Sequence, residues 1–333
     1  MVTRKEPQGK VLCIFTGGTI AMEPETLSSL HGAGEILDFV KEITELAVID
    51  ARQICNIDSV EMQPHHWVEV ARTIYDEYDR YDGFVVLHGT DTMVYTAGAV
   101  SFILQKLGKP VIFTGSQIPL YSRLASDARN NLINSVRFAL MDVAEVCIFF
   151  GSVLLRGNRA HKISGFDINA FKSFSNDPLG TAGVRLNLYR GRKRRSKGQP
   201  VFTPDLESRV CLLKVYPSMD IDLIDILIAK GYRGIVLEAY GAGNIPVGER
   251  SLIPGIQRAI AAGIPVVVST QCEKGSAEDL YPAGKMLRKC GAIAAHDMTP
   301  EASLVKLMWV LGQTSSPGKI RRLMEKNLAD EIS

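Results

Sequence analysis

No stretch of this 333-residue chain approaches the ~20 consecutive apolar residues of a membrane-spanning helix. The leader MVTRKEPQGK is polar, and the apolar run behind it, VLCIF, is too short for a secretory h-region. Cysteine is sparse: Cys13, Cys55, Cys147, Cys211, Cys272 and Cys290 are scattered without a C-x-x-C pair. Free thiols inside apolar runs pack as small hydrophobes, so the expected setting is reducing and cytoplasmic. Six histidines offer no chelate spacing, since His65 and His66 are adjacent where a helical pair needs i, i+4. No metal site is therefore expected. An excess of one charge is also lacking: charged residues make up 22% and the net charge is +2, as in ordinary globular proteins. G-x-S-x-G, G-x-x-x-x-G-K-[ST] and G-x-G-x-x-G are absent, GAGNIP at 241–246 lacking the last glycine of the third. There is no solenoid-period repeat.

What is present is a core. Hydrophobic residues make up 46%, and the length suits two domains. VLCIF (11–15), FVVLH (84–88), PVIFT (110–114), VCIFF (146–150), VCLLKV (210–215), GIVLEA (234–239) and PVVVS (265–269) are continuous rather than alternating, as parallel strands covered on both faces are. Helical spacing falls between them, with Ile36, Phe39, Val40 and Ile43 in 33–45 and Trp67, Val70, Ala71, Ile74 and Tyr78 in 66–81. Repeated strand–helix units predict an α/β fold with a parallel sheet. RGRKRRSKGQP interrupts the pattern with six Lys/Arg between Arg190 and Lys197. The expectation is a catalytic domain over 1–189, an exposed basic linker over 190–204 and a smaller α/β domain over 205–333. A nucleic-acid patch is the other reading of that run, but it interleaves no aromatic residue, and removing its six charges from a net +2 leaves −4.

Two strand exits carry hydroxyls. VLCIFTGGTIAM brackets a glycine pair with Thr16 and Thr19, and VVLHGTDTM sets Thr90 and Asp91 behind Gly89. Ligands of open α/β sheets bind beyond the carboxyl ends of strands. Gly17, Gly18 and Gly89 let backbone approach a ligand and offer it N–H groups, which stabilise a developing oxyanion. A threonine hydroxyl needs a base to become nucleophilic. Lys162 in RGNRAHKISGFDINAF is one when desolvated, and Asp91 can hold it, so Thr90, Lys162 and Asp91 form a candidate proton relay for Thr19. Taken singly, TGGTI also reads as a structural or phosphate-binding turn, Asp91 as a helix cap and Lys162 as a solvated lysine.

Together TGGTIAM (16–22), NIDSVEM (56–62), YDGFVVLHGTDTMVYTA (81–97), GKPVIFTGSQIP (108–119), RGNRAHKISGFDINAF (156–171), EAYGAGNIP (238–246) and DMTPEASLVKLMW (297–309) resemble the bacterial-type L-asparaginases, best their type I, cytoplasmic branch. The resemblance spans nearly the whole chain. It implies a two-domain α/β asparaginase-like fold and cofactor-free hydrolysis of L-asparagine to L-aspartate and ammonia. It further implies a homodimer or dimer of dimers; from the charge balance and the lack of a long apolar run, no nucleic-acid or membrane partner is expected. By position it makes Thr19 the nucleophile and Thr90, Lys162 and Asp91 the second triad. Asp91 would hold the substrate α-amino group and Ser59 with Asp58 its α-carboxylate end. Gly18 and Gly89 would flank the substrate, Ser116 and Gln117 would form a pocket wall, and Asn244 would reach a neighbouring protomer's site.

The family's lid tyrosine is missing. MEPETLSSLHGAG (22–34) offers only Ser29 at that position, with Thr26 and Ser28 nearby, and a serine lacks the phenol's reach and acidity. Glu238, where some relatives carry arginine, suits an anionic effector badly, so strong asparagine cooperativity is not expected although Cys272 matches part of an effector site. Two other functions stand beside asparagine hydrolysis. One is the glutamine-directed amidase subunit of a tRNA-dependent amidotransferase, whose extra amino-terminal domain finds no room before Val11. The other is a non-catalytic amino-acid binder.

Overall fold

The computed structural model describes residues 9–26, 31–122, 125–173, 177–278 and 281–333. They fall into two compact units divided between Phe202 and Thr203. The first contains β1 (Lys10–Gly17), β2 (Val48–Ile57), β3 (Gly83–Leu87), β4 (Leu104–Gln105), β5 (Val111–Thr114), β6 (Val146–Phe150), β7 (Val153–Arg156), β8 (Ala160–Lys162), β9 (Phe171–Ser173), β10 (Gly180–Ala182), β11 (Leu186–Leu188) and β12 (Val201–Phe202). Between them run α1 (Ala33–Phe39), α2 (Pro64–Asp76), α3 (Met93–Ile103) and α4 (Ala128–Ala139).

Eight strands form one sheet in the order β11-β10-β7-β6-β5-β3-β1-β2. The neighbours from β2 to β6 are parallel. Val11, Cys13, Ile14, Phe84–Leu87 and Val111–Phe113 are wholly buried, which explains their unbroken apolar sequence. Each such Val, Leu, Ile or Phe contributes about 1.5–3 kcal/mol on burial. The sheet is mixed rather than purely parallel, because β7, β10 and β11 add an antiparallel arm beyond β6. β2 was not visible in the apolar pattern: it is an edge strand, half-buried or exposed along its whole length. The helical pattern over 33–45 becomes α1 followed by a 3-10 turn over Lys41–Glu45, with Ile36, Val40 and Ile43 buried. α2 begins at Pro64 behind a capping box of Gln63 and His66 and buries Trp67, Val70, Ala71 and Ile74.

The chain leaves β1 for β2 on one side, then returns to β3 on the other. Strand order therefore reverses at the β1/β3 pair, where a doubly wound sheet opens its ligand crevice.

The basic stretch clusters with this unit and is mostly exposed, as expected, with Arg192 and Arg195 half-buried and bonded to main-chain carbonyls. Arg195 donates from Nε to Met141 O, from Nη1 to Asp82 O and from Nη2 to Ala139 O, at 2.7–2.8 Å. It thus satisfies carbonyls at and beyond the last turn of α4, where a cation is favoured. Arg192 donates to Asp142 O and Tyr189 O.

The second unit has one parallel sheet, β13 (Val210–Lys214), β14 (Gly234–Ala239), β15 (Val266–Thr270) and β16 (Ile293–Ala294), in that order. Its helices are α5 (Leu223–Ala229), α6 (Ile253–Ala261), α7 (Pro282–Cys290), α8 (Pro300–Gln313) and α9 (Pro317–Glu325). Lys306 on α8 is fully buried 2.5 Å from the equally buried Glu331, and its ammonium also donates to Met324 O and Lys326 O. Among the described residues no helix is long and apolar enough to cross a membrane, and no group of three or more His, Cys, Asp or Glu side chains is placed to hold a metal ion.

Candidate active site

Register alone gathers the predicted loops. Phe15 on β1 pairs with Leu87 on β3, Leu87 pairs with Thr114 on β5, and Gly17 pairs with Ile57 on β2. The carboxyl ends of four adjacent strands thus lie in a row, delivering Asp58 and Ser59, Gly18 and Thr19, Gly89 to Asp91, then Ser116 and Gln117.

The glycines are there for contact. A Cβ on Gly18 would lie 2.3 Å from Gly89 Cα, and one on Gly89 would lie 2.7 Å from Ser59 Oγ. Gly18 also has φ 84°, a conformation that costs other residues strain. Its N–H is not offered to a ligand, however, because it donates to Ile57 O at 3.0 Å. The two backbones touch, which brings Thr19 and Thr90, each one residue further on, to the same strand-end cluster.

Thr16 and Thr19 differ. Thr16 is buried and donates to Leu87 O at 2.9 Å, tying β1 to β3. Thr19 opens the 3-10 turn Thr19–Ala21, is only half-buried, and has no hydrogen-bond partner for its hydroxyl among the described residues.

Thr90 is buried and receives a hydrogen bond from Lys162 Nζ at 2.8 Å. Lys162 also forms a short ion pair with Asp91. Its side chain is 16% exposed, so it is not a solvated lysine, whereas Asp91 is 55% exposed. Asp91 does not cap a helix: α3 starts at Met93 with Thr92 at the cap. Thr90 Oγ1 donates onward to Gln117 Oε1 at 3.2 Å. In this arrangement Lys162 Nζ is the donor to Thr90, and the Thr90 hydroxyl is the donor to Gln117. For Lys162 to act as base it must first be deprotonated, and the hydroxyl must turn.

Gln117 does more than line a wall. Its Nε2 donates to Ser164 O at 3.4 Å and Asp167 O at 3.3 Å in the turn that follows Lys162. Ser116 is buried with no partner for its hydroxyl among the described residues. Ser59 is buried; its Oγ accepts from Asp91 N at 3.3 Å and its carbonyl from Thr92 Oγ1 at 2.7 Å. Asp58 is exposed and accepts from Val60 N, capping the turn Ser59–Glu61.

His88, missed in the sequence, is fully buried beneath this cluster. Its Nδ1–H donates to Gly89 O at 2.7 Å, and Nε2 lies 2.9 Å from Thr96 Oγ1 on α3. Burial drives its pKa down to about 4, so it is neutral at pH 7. Asn244 lies in the second unit, half-buried in a turn closed by its N–H to Tyr240 O at 2.7 Å. Thr26 is exposed, while Ser28 and Ser29 lie outside the described residues.

A family model described as "Asparaginase, N-terminal" matches residues 10–194, and one described as "Glutaminase/Asparaginase C-terminal domain" matches 209–324. The chain is 40% identical to a glutamyl-tRNA(Gln) amidotransferase subunit of Pyrococcus horikoshii over 97% of its own length and 76% of that protein. It is 36% identical to L-asparaginase 1 of Escherichia coli (strain K12), over 96% of each chain. The solved thermostable L-asparaginase from Thermococcus kodakarensis superposes with a TM-score of 0.91 at 36% identity, over 97% of this chain and 99% of that one. Matched in both halves, the chain belongs to the asparaginase/glutaminase family.

Proposed function

We propose that the protein is an L-asparagine amidohydrolase of the type I branch, cytoplasmic and homo-oligomeric, and that Thr19 is its nucleophile. The observation that carries this reading is the Lys162 ammonium held between Thr90 and Asp91, on loops packed glycine-to-glycine against the Thr19 loop. With Lys162 first relieved of one proton to solvent, the Thr19 oxygen attacks the side-chain carboxamide carbon. The Thr19 proton passes to Thr90 and the Thr90 proton to the neutral Lys162 amine, and the ammonium so formed protonates the departing nitrogen. Ammonia leaves, and water then cleaves the Thr19 ester to aspartate. Asp91, more than half exposed, is available to the substrate ammonium, and Ser59 and Asp58 to its carboxylate end. Asn244 of a neighbouring copy completes the site. Thr90 and Lys162 take over the activation that the family assigns to a lid tyrosine.

A second reading, a glutamine-directed amidase acting within a tRNA-dependent amidotransferase, is favoured by the 40% identity to the Pyrococcus horikoshii amidotransferase chain. Ammonia release from L-asparagine, L-glutamine and D-asparagine, measured side by side on the isolated protein, separates the two. Turnover of L-asparagine alone supports the proposal. Turnover of glutamine, or only with an added synthetase-like partner, supports the second reading.

A further inference from the structure

Asp127 stands at the N-cap of α4 but does not cap it. An N-cap aspartate normally accepts from the amides of its own first turn, an interaction of about 1 kcal/mol. Here the carboxylate turns back onto the loop that follows β5. Oδ1 accepts from Gln117 N at 3.1 Å and Ile118 N at 3.0 Å, and Oδ2 from Gln117 N and from Asn131 Nδ2, both at 3.0 Å. Asn131, fully buried one turn along α4, donates to Gly115 O at 3.0 Å and accepts from Gly151 N at 3.0 Å. Ser126 Oγ donates to Ile118 O at 3.0 Å. The main chain from Gly115 to Ile118 is thereby fixed by three side chains from the start of one helix.

That loop carries the unpartnered Ser116 hydroxyl, and the Gln117 side chain that spans Thr90 and the turn behind Lys162. A carboxylate in this place is an acceptor only, matching the N–H groups that converge on it. An amide there would direct one NH2 group at another N–H donor. We propose that Asp127 is a positioning residue of the amide-cleaving site: with Ser126 Oγ accepting from Ala128 N at the helix start, its carboxylate is left to set the Gln117 backbone, so that the Gln117 side chain holds Thr90 and Lys162 in register. The proposal rests on the amidohydrolase reading and adds to it a residue that does not touch substrate.

The test is a double-mutant cycle of Asp127→Asn and Gln117→Ala, with kcat and KM for L-asparagine and the thermal midpoint of each protein. Asp127→Asn is expected to lower kcat about tenfold or more, because small misplacement of reacting groups is costly, with KM within about threefold. Since the effect runs through Gln117, the double variant should be no slower than Gln117→Ala alone, within about twofold. Multiplicative losses, or a folded Asp127→Asn protein with wild-type kcat, would overturn the assignment. Should Asp127→Asn not fold, Asp127→Glu keeps the charge and displaces it by one methylene, and the same non-additivity is expected. Amide hydrogen exchange distinguishes this failure from failure of the proposed function. If the wild type cleaves no amide, Asp127→Asn must still release the Gln117 and Ile118 amides, while protection at Phe113 in β5 is kept. Unchanged protection at 117 and 118 would end the proposal whatever the substrate.

Discussion

The two units solve the same problem, a parallel sheet with polar residues at its strand ends, in opposite ways. In the second unit those residues are used on the unit itself. Lys214 pairs with Glu238 at 2.9 Å, Gln271 Nε2 donates to Val215 O and Glu238 O, Thr270 Oγ1 donates to Gly241 O, and Ser269 Oγ donates to Met298 O. In the first unit, Thr19 and Ser116 have no partner for their hydroxyls among the described residues, and Asp91 stays more than half exposed although paired. Paired polar groups stabilise a fold; groups left unpaired at a strand-order reversal await a ligand. The same contrast runs within TGGTI, where the Thr16 hydroxyl is bonded to Leu87 O and the Thr19 hydroxyl has no partner among the described residues.

Five substitutions press on that contrast. The largest effect is expected at Thr19→Ala and Lys162→Met, which should each lower kcat for L-asparagine by ~10³-fold or more, with the melting temperature near that of wild type. Next comes Lys306→Met in the second unit, which strands the buried Glu331 carboxylate. It should cost about 3–5 kcal/mol in denaturant unfolding and leave the kcat of the folded fraction unchanged. Third is His88, held neutral in the folded state with its pKa lowered from 6.5 to about 4. Above about pH 6.5 both states are neutral at this ring, so its contribution is complete. As pH falls towards 4 the unfolded chain gains a proton that the folded one refuses, and about 3 kcal/mol is lost. Unfolding titrations at pH 7, 5.5 and 4 should show that slope in wild type and not in His88→Asn. The smallest effect belongs to Thr16→Val, about 1 kcal/mol of stability from the lost bond to Leu87 O, with activity retained. Were Thr16→Val to abolish turnover while folded, the division of labour within TGGTI would fail.

Much of this was legible in the sequence, for a physical reason. Strands buried on both faces must be continuously apolar, so β1, β3, β5, β6, β14 and β15 announced themselves, and β13 did so through its apolar VCLL although it is a half-buried edge strand. Their exits stood out because a loop that only turns has use for glycine but not for the hydroxyls of Thr16, Thr19 and Thr90 set around it. β2 was hidden because an edge strand half open to solvent, VIDARQICNI, has no unbroken apolar run. The antiparallel arm escaped because three-residue strands such as β10 and β11 carry no period. The basic run is largely exposed as its composition suggests, but composition cannot show that Arg195 within it meets three main-chain carbonyls. Within the site, Thr90, Asp91 and Lys162 stood out by residue type, but the bridging of Gln117 and the burial of His88 depend on contacts made far along the chain. The spacing of Asp127 and Asn131 in SDARNN, i and i+4 at a helix start, was the one available signal for the clamp.

In the proposed reaction the Thr19 oxygen becomes covalently bound to the substrate acyl group. Acid quenching of the protein during turnover of L-asparagine, followed by peptide mapping by mass spectrometry, tests this directly. An aspartyl ester on the peptide bearing Thr19, absent in Thr19→Ala, is the predicted result; an ester on Thr90 instead, or full turnover by Thr19→Ala, would contradict it.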